Sequence, residues 1–129
     1  MAYRVLNDDL TYANMNTDLP KVCFLHGWGG SGKDFSKIDS NFEYITFDLP
    51  GFGKSVPFQI SFSPKQYAEY LNKLIPDSVE IIVGHSFGGR VAVHLSQLKE
   101  YKKLVIIAAP LIRSKKTNNS FSIYKLFKF

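Results

Sequence analysis

The chain has 129 residues, 45% of them apolar, and a single cysteine. That length and composition support one domain with its own core, and one cysteine excludes an internal disulfide. The net charge of +5 is unevenly placed: residues 1–100 hold 9 Lys/Arg against 11 Asp/Glu (−2), and residues 101–129 hold 7 Lys/Arg and no acid (+7). The basic stretch carries no nucleic-acid motif and reads as a solvated face, so no nucleic-acid partner is expected. No apolar run approaches the ~18 residues of a membrane span. The N-terminus "MAYRVLNDDL" has no apolar signal segment, and the expected location is the cytoplasm.

In chain order, "AYRVLN" and "LTYANM" read as two strands of a hairpin around an acidic turn. "KVCFL" is a continuous apolar run, as in a buried parallel strand, with Cys23 as a buried filler. A glycine-rich turn follows, then "SGKDFSKI", a short helix candidate. "YITFDLPG" is a second apolar strand running to Asp48 and closed by Pro50 and Gly51. "SPKQYAEYLNKLI" has apolar residues at 67, 68, 71, 74 and 75, the stripe of an amphipathic helix, with Ser63 as N-cap and Pro64 in the first turn. "VEIIVG" is a third buried strand, "SFGGRVAVHLSQL" a helix starting directly on its end, and "KKLVIIAAP" a fourth strand stopped by Pro110. Strands alternating with helices predict an α/β fold with a mostly parallel sheet flanked by helices.

"IIVGHSFGG" carries the strongest chemical signal. Gly84, Ser86 and Gly88 form G-x-S-x-G between an apolar strand and a helix. A sharp strand-to-helix turn holds a serine in a strained conformation, and flanking glycines remove side chains that would collide. The hydroxyl then stands above the sheet at the positive end of the helix.

"HGWGGSGKD", residues 26–34, has two readings. Gly27 to Lys33 fit G-x-x-x-x-G-K, the spacing of a phosphate-cradling loop, and "DLPG" adds the D-x-x-G of nucleotide switches. Against this, Asp34 stands where such a loop needs Ser or Thr for magnesium, and a carboxylate there repels phosphate. The alternative is a His-Gly loop that offers backbone donors to an oxyanion.

Three motifs in order, "HGWGG", "DLPGFGKS" and "GHSFGG", make the chain resemble the α/β-hydrolase superfamily through nearly its whole length. The resemblance implies an esterase-like serine hydrolase acting on a small acyl substrate, with no cofactor and no metal. It makes Ser86 the nucleophile and the N–H groups of Trp28 and Phe87 the oxyanion hole. Gly27, Gly84, His85, Gly88 and His26 then support the elbow and the loop. Serine at 86 speaks against the haloalkane dehalogenases and epoxide hydrolases, which use aspartate there.

The family also needs an acid and then a histidine after the elbow. Here only His94 and Glu100 follow Ser86. His94 lies eight residues along the same helix, about 12 Å of rise away, too far to take the serine's proton. The expectation is therefore the N-terminal part of a hydrolase core over 1–112, truncated after the sixth strand. Residues 113–129 would start a lid, and the strand at 103–108 would be an open edge suited to self-association or to a complementing chain. The alternative is a non-catalytic protein of the same fold that binds a small molecule or a partner.

Overall fold

The computed structural model describes residues 10–38 and 41–109, together with the backbone of 3–5. Six strands form one sheet: β1 (Tyr3–Val5), β2 (Tyr12–Met15), β3 (Val22–Leu25), β4 (Tyr44–Phe47), β5 (Ile81–His85) and β6 (Lys103–Ile107). Their order across it is β1-β2-β4-β3-β5-β6. β1 and β2 pair antiparallel, as the hairpin reading requires, and β2 joins β4 antiparallel. β4, β3, β5 and β6 run parallel.

The apolar runs become strands because both faces of the sheet are covered. All four residues of β3 and of β4 are buried. Successive side chains point to opposite faces, so the strands feed two cores. Cys23, Leu25, Ile45, Phe47 and Ile82 meet the helices α1 (Pro64–Asn72) and α2 (Phe87–Leu98) on one face. Val22, Phe24 and Tyr44 pack with Phe35 and Ile38 on the other. Burial of Cys23 pushes its thiol pKa well above the usual range, as suits a packing residue.

α1 begins where the sequence predicts. Ser63 Oγ accepts from the Gln66 N–H at 3.2 Å, Gln66 Oε1 accepts from the Ser63 N–H at 2.8 Å, and Pro64 opens the first turn. Its stripe is the buried one: Tyr67, Ala68, Leu71 and Ile75 all lie in the core.

Two elements come out shorter than expected. Residues 31–38 yield only one 3-10 turn, Gly32–Phe35, capped by Ser31. The last strand ends at Ile107, because Ala108 takes φ +52° and leaves the extended ladder. Among the described residues β6 has β5 as its one neighbour and so stands at a sheet edge. The acidic turn of the hairpin and the lid expected over 113–129 lie outside the described residues.

This order positions the site. From β3 the chain moves to β4 on one side. It then crosses back through α1 to β5 on the other side of β3, and from β5 moves away to β6. β3 and β5 are neighbours, with Leu25 opposite Gly84, while their following segments diverge. In open α/β sheets such a switch point is where a crevice opens at the strands' carboxyl ends.

Candidate active site

Ser86 joins β5 to α2 with φ +53° and ψ −117°, a backbone conformation that non-glycine residues rarely adopt. The turn is held from both sides. Its N–H donates to the Ile107 carbonyl at 2.8 Å, and its carbonyl accepts from Gly89 N at 2.9 Å and Arg90 N at 3.2 Å. The serine occupies the N-cap of α2, yet its hydroxyl makes no capping hydrogen bond. The side chain stays available above the sheet.

The flanking glycines are required by close approach. A Cβ on Gly84 would overlap the Gly88 carbonyl and lie 2.6 Å from Gly89 Cα. A Cβ on Gly88 would overlap the Leu25 carbonyl and lie 2.6 Å from that of His26. The start of α2 thus rests directly on the end of β3. Contact this close brings the His26–Trp28 loop against the elbow, where a Cβ on Gly27 would sit 3.2 Å from both Ser86 Cβ and His85 Nδ1.

His26 is fully buried and holds that loop in place. Its Nε2 accepts the Leu49 N–H at 2.9 Å, so Nδ1 carries the proton and donates to the Gly27 carbonyl at 2.7 Å. Burial pushes the imidazole pKa down, and the Gly27 carbonyl and the Asp48 and Asp34 carboxylates oppose this less strongly. The ring is therefore neutral, with both nitrogens spoken for, and cannot serve as the base for Ser86. His85 is exposed beside the loop. His94 lies far along α2, as its spacing predicts.

Asp48 marks the end of a strand in the sequence, and the structure gives it a central part as well. Its buried carboxylate accepts from Gly32 N at 2.8 Å and from Lys54 N at 2.9 Å. Its carbonyl accepts from Ser55 Oγ at 2.6 Å, which in turn accepts from Tyr12 N at 2.9 Å. Gly53 is excluded from carrying a side chain, since a Cβ would overlap this carboxylate. The available signal was an aspartate at the end of a fully apolar strand, where burial demands donors.

These bonds overturn the phosphate-loop reading. A phosphate cradle needs free backbone donors. Here the N–H of Gly30 donates to Gly27 O, that of Gly32 to Asp48, that of Lys33 to Ser31 Oγ, and that of Asp34 to Ser31 O. By contrast, the N–H groups of Trp28 and Phe87 make no backbone hydrogen bond among the described residues.

The Trp28 side chain is 68% exposed. Its ring meets Phe87 edge-on at 5.1 Å and Phe52 at 4.8 Å. Beyond it opens a cavity of about 370 Å³ between the 50–62 segment and Tyr67. Among the described residues no group of three or more His, Cys, Asp or Glu could hold a metal ion, and no helix is long and apolar enough to cross a membrane.

A sheet with its crevice at the switch point and a strained serine beside it defines an α/β protein built as hydrolases are. The model of the alpha/beta hydrolase family matches residues 24–125, and the chain belongs to that family. It is 35% identical over 98 residues to a pimeloyl-[acyl-carrier protein] methyl ester esterase of Pseudoalteromonas atlantica, covering 69% of this chain and 37% of that protein. It is 30% identical over 115 residues to a putative esterase/lipase of Mycoplasma genitalium, covering 79% and 40%. Among solved structures, an esterase of Mycobacterium tuberculosis superposes with a TM-score of 0.73 at 25% identity, covering 81% of this chain and 41% of that one. The chain thus spans about two fifths of the length of these relatives.

Proposed function

We propose that Ser86 is the nucleophile of an esterase-like acyl-transfer site, with the N–H groups of Trp28 and Phe87 as its oxyanion hole. One observation carries the reading: Ser86 is held at φ +53° by a turn whose glycines at 84 and 88 have no room for a side chain. Strain of this kind costs on the order of 1–3 kcal/mol and is kept where it serves a site. In the proposed step Ser86 Oγ bonds to an acyl carbonyl carbon, and the negative charge that develops on the carbonyl oxygen is met by the two N–H groups. Each such donor is worth ~3 kcal/mol of barrier. Gly27 and His26 set the height of the loop, and His85 stands beside it. The esterase names of the relatives agree with an acyl substrate.

The base that takes the Ser86 proton is none of the three histidines. His26 is committed at both nitrogens, His94 is remote, and His85 makes no hydrogen bond to the serine among the described residues. That observation favours a second reading for this chain by itself: a small-molecule or partner-binding protein of the same fold. Alkyl fluorophosphonate labelling at mildly alkaline pH, mapped by mass spectrometry, separates the two. Modification of Ser86 ahead of every other serine, lost in Ser86→Ala, supports the nucleophile. Slow labelling scattered over the surface serines supports the binding protein.

A further inference from the structure

The cavity beyond Trp28 is lined mainly by aromatic and apolar side chains, with Gln59 and Ser61 as its polar ones. Its walls include Phe52, Phe58, Ile60, Phe62 and Tyr67, with Trp28 at the mouth, and no charged residue lines it. The wall is a connected aromatic set. Phe58 stacks on Phe62 at 3.8 Å and meets Tyr67 edge-on at 5.1 Å and Tyr70 at 5.0 Å. The Tyr67 hydroxyl is turned away into a hydrogen bond with the Pro50 carbonyl at 3.0 Å, so its ring faces the space. Ile60 is 69% exposed, although a large apolar side chain there gains nothing from water. Two wall residues, Trp28 and Tyr67, each contact Phe87, the neighbour of Ser86.

We propose that this cavity binds the neutral, unbranched alkyl part of an acyl substrate, with the carbonyl end lying toward Ser86. The assignment of that carbonyl end rests on the nucleophile reading above; the binding of the chain does not. The walls favour such a group because a charge seated against the aromatic rings would give up water and meet no opposite charge. A carboxylate-terminated chain is rejected for the same reason. At about 30 Å³ per water-sized group, the volume has room for roughly a dozen methylene-sized groups at most. Within that length each added methylene tightens binding about fourfold.

Trp28 is the only tryptophan of the chain and reports on the site directly. The 129-residue chain is titrated with straight-chain 1-alkanols from butanol to dodecanol, and Trp28 emission is followed. The expected result is a dissociation constant that falls about fourfold per methylene and levels off as the cavity fills. Equal-length α,ω-dicarboxylates should bind at least tenfold more weakly. Ile60→Asp, at an exposed position that leaves the core intact, should weaken decanol binding tenfold or more with an unchanged circular dichroism spectrum. Ile60→Ser should do so to a smaller degree. Ser86→Ala should keep the full length dependence, so loss of Ser86 labelling together with retained alkanol binding would defeat the nucleophile and leave the cavity assignment standing. An emission response that is absent, is independent of chain length, favours the dicarboxylates, or is unchanged in Ile60→Asp overturns the cavity assignment whatever Ser86 does.

Discussion

At the residue scale, the loop beside Ser86 is held by two buried polar side chains, Asp48 and His26, that each accept backbone N–H groups. Asp48 uses its carboxylate to gather N–H groups from two loops, while His26 must stay neutral to accept at Nε2. This gives a pH signature. The pKa of His26 is depressed below its usual 6.5, chiefly by burial. In the unfolded chain the ring titrates near its ordinary value, so below that pH the unfolded state binds the extra proton and gains over the folded one. The contribution is full above about 6.5 and is lost as pH falls from there toward the folded pKa. The wild type's resistance to urea should therefore weaken as pH falls below about 6.5, and His26→Gln should flatten that slope. Equal slopes in the two proteins would mean that folding leaves the affinity of the ring for its proton unchanged, and that Nε2 does not accept from Leu49.

At the element scale, the junction of α2 with β3 decides where the serine stands. Ridges and grooves set ordinary helix-on-sheet spacing, but here backbone meets backbone, Gly88 of α2 lying against the Leu25 and His26 carbonyls at the end of β3. Gly88→Ala should cost roughly 3 kcal/mol, because the obstructing atoms are carbonyls of the central strand that cannot turn aside. Gly29→Ala is the natural comparison. Its φ is +82° but nothing lies within 4 Å of the added Cβ, so it should cost only the left-handed backbone penalty of about 1 kcal/mol. Denaturant midpoints of the two variants check the contrast, and a Gly88→Ala protein as stable as Gly29→Ala would show that helix and strand are not in backbone contact.

At the scale of the whole molecule, the described residues gather the strained Ser86 turn, the His26–Trp28 loop and the aromatic-lined cavity around one switch point, and none of the three histidines is hydrogen-bonded to the serine among the described residues. Triad systems stripped of a member keep a residual ~10³–10⁴ over water, far below full rates. The 129-residue chain should accordingly show no steady hydrolysis of p-nitrophenyl acetate near the ~10 s⁻¹ of ordinary enzymes, and Ser86→Ala should change its slow background little. Fast steady turnover that disappears in Ser86→Ala would show that His85, or a residue outside those described, reaches the hydroxyl as a base.

The order of strands and helices, the N-cap of α1 and the elbow itself were legible in the sequence, because each is written in residues next to one another. Apolar runs between turn residues mark buried strands, Ser63 stands directly before Pro64 and the apolar stripe, and G-x-S-x-G sits where a strand runs into a helix. What the tertiary structure alone decided depends on contacts between distant segments. Asp48 became a latch only when β4 was laid beside β3, which brought Gly32 to it from 16 positions away. His26 could be read from sequence as a brace but not as a neutral one, since its tautomer follows from Leu49, 23 residues on. The competing phosphate-loop spacing could be weakened in sequence by Asp34, yet only folding showed the N–H groups of Gly30, Gly32, Lys33 and Asp34 already taken. The aromatic cavity had no periodicity to announce it. Phe58, Ile60 and Phe62 lie in an irregular segment, and they become one wall because α1 carries Tyr67 and Tyr70 back across the sheet to meet them.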